Sequence, residues 1–215
     1  MNTKKFVLSY SGGKDCILAM YRKIKEGWTP VALLTTIKKS SPESWTHGLT
    51  FDSLEEVSKS LDLPIIYVEC EASEYEDRFE DKLRIAKDMG AETVVYGDID
   101  IELHKKWGVD RAENSGLNYE FPLWQEDREK LVHEFIDSGF KALIKKVNLN
   151  YMSSDFLGKT LTKDLIEEIK ATGSDACGEN GEYHTFVYDG PIFKNKIDIN
   201  IEDVKREKNY GFSLI

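Results

Sequence analysis

The sequence predicts an α/β fold in which a parallel sheet carries helices on both faces, followed by a smaller C-terminal α+β domain. Three observations predict it. Short β-branched or apolar runs alternate with longer charged segments of helical period, a glycine-rich turn joins the first run to the first such segment, and the texture changes after Gly97.

The first strand is read from Phe6 to Ser9, with a helix following to about Glu26. Val31 to Ile37 reads as the second strand, and Ser53 to Leu61 as the second helix. Ile65 to Val68, a helix from about Tyr75 to Met89, and Thr93 to Tyr96 continue the alternation. Such βαβ units place ligands at the carboxyl ends of the strands. Beyond Gly97 come helical segments at about Glu102 to Ser115 and Asp127 to Ser138, a strand at Ala142 to Val147, and a helix near Lys163 to Ala171. Further β-like pieces lie at His184 to Tyr188 and Ile197 to Ile201. A boundary near Tyr119 therefore divides the chain into residues 1–119 and 120–215. The segment Lys38 to Thr50 has no clear period and follows the second strand, so it reads either as a lid over a ligand or as a passive surface loop.

Composition narrows the function classes. The 215 residues carry 29 Lys and Arg against 39 Asp and Glu, a formal net charge of −10, with no basic block. Nucleic-acid and anionic-lipid binding draw on clustered cations, so neither partner is expected. Cys16, Cys70 and Cys177 are far apart with no C-x-x-C pair, which reads as reduced thiols and no structural zinc. No secretory h-region and no run of eighteen apolar residues appears, so a cytoplasmic protein without a membrane span is expected.

Ser11-Gly12-Gly13-Lys14-Asp15-Cys16 occupies the first strand–helix turn. A turn of this kind directs backbone N–H groups toward one point at the positive end of a helix dipole, and that point suits a phosphate. Gly12 and Gly13 permit close approach, the Ser11 hydroxyl can donate, Lys14 adds charge, and Asp15 can hold Mg²⁺ or orient the loop. The same glycines would serve a plain tight turn with Lys14 and Asp15 as ordinary first-turn residues. The spacing is neither G-x-x-x-x-G-K-[ST] nor G-x-G-x-x-G, so neither a Walker-type phosphoryl transferase nor a common dinucleotide binder is indicated. In the distal stretch Gly178-Glu179-Asn180-Gly181-Glu182, two carboxylates three positions apart suit a cation such as Mg²⁺, ammonium or a cationic substrate group. A solvated acidic turn has the same composition. Asp98 sits just past the fourth strand, where sheets of this class place ligand contacts.

S-G-G-K-D on that turn resembles the pyrophosphate loop of the N-type ATP pyrophosphatases, which usually close it with Ser where Cys16 stands. Later motifs narrow the resemblance: G-D-I at 97–99, P-L-W at 122–124, G-F-K-A-L-I at 139–144, F-L-G at 156–158 and C-G-E-N-G-E-Y-H-T-F-V-Y-D-G-P-I-F at 177–193. Together they resemble the diphthine ammonia ligase, or ATP-binding type 4, family over nearly the whole chain. The resemblance implies an adenine nucleotide alpha hydrolase-like, Rossmann-like ATP-binding domain in 1–119 and a substrate domain in 120–215. It implies adenylation of the carboxylate of diphthine on translation elongation factor 2, amidation by ammonia, and release of AMP and pyrophosphate from Mg²⁺-ATP.

Carried onto this chain, the resemblance implies an ATP loop of Ser11, Gly12, Gly13, Lys14, Asp15 and Cys16, with Asp15 as the Mg²⁺ ligand. Lys14, Asp15, Asp98, Glu179, Glu182 and His184 become the catalytic candidates. His47 matches the histidine of the family's lid motif, whereas His133 in an amphipathic helix carries no functional expectation. Trp107 and Trp124 are expected to pack, and His104 lies near the domain junction. Cys16 and Cys177 are assigned no nucleophilic role. The distal motif departs from the family's G-E-G-G-E-Y-E-T at Asn180 and His184, and D-I-D-I-E-L-H at 98–104 replaces a Ser-x-Tyr-Gln type segment. ATP use follows most directly. The alternatives are an ATP pyrophosphatase acting on another carboxylate or on tRNA, and an ATP-binding sensor without turnover; a homodimer is left open.

Overall fold

The computed structural model describes residues 3–40, 43–45, 47–201 and 203–214. It forms two compact units, Met1–Ser11 with Asp15–Gln125, and Gly12–Lys14 with Glu126–Ile215. No helix among the described residues is long and apolar enough to cross a membrane.

In the first unit, β1 (Lys5–Ser9), α1 (Lys14–Lys25), β2 (Thr29–Lys38), α2 (Phe51–Leu61), β3 (Ile65–Cys70), α3 (Tyr75–Asp88), β4 (Thr93–Val95), α4 (Glu102–Asn114) and β5 (Asn118–Glu120) alternate along the chain. The five strands are parallel in the order β3-β2-β1-β4-β5. Strand alternation divides the apolar side chains between two faces. Val7, Leu34, Val68 and Val94 pack with Phe79, Leu83 and Ala112 of α3 and α4. On the other face Phe6 meets Trp28 and Tyr67 meets Phe51 of α2, both edge-on. Each fully buried side chain of this size contributes about 1.5–3 kcal/mol relative to exposure. A short polar side chain caps the head of α2, where the Thr50 hydroxyl accepts from Ser53 N at 3.2 Å. Arg111 ties α4 to α3 through Glu76 at 2.5 Å and Glu80 at 2.9 Å.

The order 3-2-1-4-5 matters for function. β2 leaves β1 on one side and β4 lies on its other side, so the chain departs in opposite directions from the ends of β1 and β4. That divergence opens a crevice.

The second unit holds α5 (Arg128–Asp137), β6 (Lys141–Asn148), α6 (Lys163–Ala171), β7 (Tyr183–Asp189), β8 (Asp203–Glu207) and β9 (Tyr210–Leu214). Its four strands are antiparallel in the order β7-β6-β9-β8. The β-like reading at 197–201 is not borne out, since that stretch has no strand and the hairpin comes later, at 203–214. Its turn is Lys208-Asn209, with Lys208 at φ 53 and Glu207 opposite Tyr210. The segment after β2 is also more ordered than a featureless loop. Trp45 N donates to Thr36 O at 3.1 Å, and Ser44 N and Leu49 O pair at 2.9 Å. Part of it, residues 41, 42 and 46, lies outside the described residues.

Candidate active site

In the first unit, the ends of β1 and β4 are drawn together by a glycine. A Cβ on Gly97 would stand 2.6 Å from Cys16 N and 2.8 Å from the Asp15 carbonyl carbon, distances that real Cβ atoms do not show. Only glycine lets the first turn of α1 lie against the end of β4. Asp15 and Cys16 are held there, Asp15 half-buried and Cys16 buried. The Ser11 hydroxyl donates to Cys16 Sγ at 3.5 Å, so the thiol serves as acceptor where the family's serine is usual.

Asp98 follows Gly97, partly exposed, with its Oδ1 3.4 Å from His104 Nδ1. Two phenols stand nearby, Tyr96 buried and Tyr75 partly so. Burial pushes Tyr96 well above the ordinary phenol range and raises Tyr75, and the Asp98 carboxylate adds to both. Tyr96 keeps its proton and donates it to Gly108 O at 2.9 Å.

Beside this lies a cavity of about 110 Å³ at the carboxyl ends of β1 and β2, lined by Ser9, Tyr10, Ser11, Leu34, Thr35, Thr36, Ser44, Trp45, Tyr75 and Phe79. One wall is aromatic. Trp45 lies 5.1 Å from Tyr75, which stacks on Trp107 at 4.9 Å and 17°. Trp45 Nε1 is buried with no hydrogen-bond partner among the described residues. Hydroxyls, aromatic rings and an unmet N–H in one lining suit a flat polar heterocycle. His47 is buried close by in the chain, at 6 % exposure.

In the second unit, Gly12, Gly13 and Lys14 join the distal motif. Gly12 takes φ 92, and its carbonyl accepts from Val187 N at 3.0 Å. Lys14 N donates to the Thr185 hydroxyl at 3.0 Å. The Lys14 side chain is buried at 4 % exposure, its Nζ donates to Cys177 O, and it stands 5.5 Å from the centre of the Tyr183 ring. Gly178, at φ 74, is fixed by the same ring, because a Cβ there would come within 2.8 Å of Tyr183 Cδ1. Tyr183 in turn donates to Ala176 O at 2.6 Å.

The two acidic positions of the distal loop play different parts. Glu182 is buried at 4 % exposure, and its carboxylate accepts from Asp175 N at 3.1 Å, Asn180 N at 3.0 Å and Asn180 Nδ2 at 3.1 Å. It organises the loop. Asn180, where the family has glycine, supplies one of those donors through its side chain. Asp175 does the same upstream, accepting from Cys177 N at 2.5 Å, Gly178 N at 3.0 Å and Arg128 at 2.6 Å. Glu179 is half-buried. Cys177 is buried with its Sγ donating to Arg128 O at 3.0 Å, the geometry of a packed thiol. His184 pairs with Lys146 across β7 and β6, so by strand alternation it points away from the face that carries Tyr183 and Thr185.

Sequence reasoning missed Trp45 and the hydroxyls of the cavity, Asp175, and the Tyr183 ring over Lys14. The signal for Asp175 was present as D-A-C-G, a short acid placed to receive its own downstream N–H groups.

Family models of the diphthamide synthase N-terminal domain and the diphthamide synthase C-terminal domain match residues 4–119 and 127–215. The chain is similar to the diphthine–ammonia ligase of Mus musculus, 30 % identical over 230 residues that cover 95 % of this chain and 86 % of the mouse protein. It is 35 % identical to the Homo sapiens diphthine–ammonia ligase over 150 residues, 68 % of this chain and 56 % of the human one. A solved structure described as a predicted subunit of tRNA methyltransferase from Methanocaldococcus jannaschii overlays with a TM-score of 0.45 and 15 % identity, over 90 % of this chain and 100 % of that one, too distant to carry an argument.

Proposed function

The chain belongs to the diphthamide synthase family, and from that premise we propose that it is an ATP-dependent ligase that amidates the carboxylate of diphthine through an acyl-adenylate. A carboxylate is a poor acceptor for ammonia until one of its oxygens can leave. In the proposed reaction that oxygen attacks the α phosphorus of ATP and pyrophosphate departs. The ammonia nitrogen then attacks the acyl carbon, AMP leaves with the oxygen, and the nitrogen gives up a proton.

The observation that carries the reading is the clamp on Lys14. A buried ammonium held by a carbonyl and an aromatic ring, on a loop whose glycines leave the backbone open, is a preorganised cation for a polyphosphate. Ser11, Gly12 and Gly13 supply short donors, and Cys16 N lies in the first turn of α1. The cavity walled by Trp45 and Tyr75 suits the adenine base in size and polarity. Asp15, a half-buried carboxylate in that first turn, is an oxygen donor suited to Mg²⁺, which would neutralise charge on the phosphates. No protein nucleophile is needed, and the task is positioning and charge neutralisation.

On the acceptor side we assign Glu179, in the second unit, to the incoming ammonium and its protons, and in the first unit Asp98 is kept as a catalytic candidate just past β4. Glu182 acts through the loop it organises. His184, on the far face of β7, is the weakest member of the set and belongs to contacts with the protein substrate. We take a diphthine-bearing elongation factor as the protein substrate, which is what the sequence resemblance implies.

Oxygen-18 in the substrate carboxylate tests the central step. The acyl-adenylate route puts the label into AMP. Label in inorganic phosphate, with ADP as the other product, would replace it with an acyl-phosphate route.

A further inference from the structure

We propose that Glu129, His133 and Glu167 form a binding site for a borderline divalent cation, with zinc as the metal whose ligand preferences the set meets. The site lies wholly in the second unit and does not depend on the proposed reaction. Glu129 and His133 are four residues apart on α5 and so share one of its faces, while Glu167 comes from α6. One ligand atom from each lies within 4.8 Å of the others. Small side-chain rotations close that spacing onto a single ion.

A cation already stands at this position. Lys170 Nζ lies 2.7 Å from Glu129 Oε1 and 3.0 Å from Glu167 Oε1, bridging the two helices. The ammonium donates to both carboxylates, Glu129 Oε1 and Glu167 Oε1. His133 Nε2 is buried and has no hydrogen-bond partner among the described residues. A metal ion would use all three donors, whereas Lys170 uses two. The Lys170 side chain is 34 % exposed, so it can swing into solvent when an ion takes its place. Two carboxylates and an imidazole are softer than the all-oxygen shells of Mg²⁺ and Ca²⁺ and match zinc, with water completing the tetrahedron.

Lys170 is a built-in competitor for the ion, and that gives the site a distinctive test. The chelator-treated full-length chain is titrated with Zn²⁺ against a chromophoric chelator, and with Co²⁺ while the visible ligand-field bands of an inner-sphere site are recorded. One ion per chain is expected. Lys170→Met, which keeps the stem and removes the charge, should tighten binding several-fold. His133→Ala and the exposed variant Glu167→Gln should each weaken it by about tenfold or more. No stoichiometric uptake by the wild type overturns the proposal. So does undiminished affinity in both weakening variants, which would place the ion elsewhere. Unchanged affinity in Lys170→Met also overturns it, because the ammonium would then not occupy the cation position.

Discussion

Lys14 donates its ammonium proton to the carbonyl of Cys177, a residue 163 positions away in the chain. The contact makes the opening glycine loop and the distal motif one hydrogen-bonded cluster, with Thr185 below the Lys14 backbone and Tyr183 beside its side chain.

Lys14→Met keeps most of the buried volume and deletes the charge. Turnover of ATP is expected to fall at least about 100-fold, the size seen when a preorganised charge or donor is removed. The far-ultraviolet circular dichroism should be unchanged. Full activity in this variant would remove Lys14 from the site.

Gly97→Ala drives a methyl into the Cys16 and Asp15 backbone. The first turn of α1 must shift, at a cost of about 1–3 kcal/mol in stability. Thermal unfolding should show a lower midpoint, and ATP binding should weaken with it because the loop leads directly into that turn.

Much of the fold was legible because its signals are local. The alternation of β1, α1, β2, α2, β3, α3 and β4 rests on hydrophobic period and on a glycine turn, both readable in short windows. The β8–β9 hairpin is hard to read because β8 is mostly charged and β9, Tyr-Gly-Phe-Ser-Leu, is short and interrupted by glycine; its one clear mark is the Lys208-Asn209 turn, with Lys208 in the left-handed region. The cavity was invisible for another reason: Ser11, Thr36, Trp45 and Tyr75 meet only through tertiary folding. Glu179 and Glu182 looked equivalent as a spaced acidic pair. Burial and three donors distinguish Glu182, and no composition argument reaches that.

Glu182→Gln should therefore behave differently from Glu179→Gln. An amide in place of the Glu182 carboxylate turns an NH₂ toward backbone and side-chain donors, costing about 1–3 kcal/mol. Glu179→Gln should reduce the response to ammonium. Chemical denaturation paired with an ammonium titration separates the two.

The buried phenols give an alkaline signature. Tyr96 is pushed up from an ordinary value of 10.0 by burial, with the Asp98 carboxylate as a lesser cause. Its stabilising protonated form is fully present below the unfolded value and is lost as pH rises above it toward the raised folded value. Stability should fall by about 1.4 kcal/mol per pH unit for each such group above about pH 10. Tyr96→Phe should flatten that slope by one proton and cost about 1 kcal/mol at neutral pH through its lost bond to Gly108. Tyr10→Phe should flatten it equally at almost no neutral cost, since the Tyr10 hydroxyl has no partner among the described residues.

The most direct test is the release of AMP and pyrophosphate from Mg²⁺-ATP by the purified chain, with ammonium, in the presence and absence of elongation factor 2 bearing diphthine. Pyrophosphate formed in step with diphthamide, and only when that factor is present, is the expected result. Tight ATP binding without pyrophosphate when factor and ammonium are both supplied would contradict the assignment of diphthine as the acceptor.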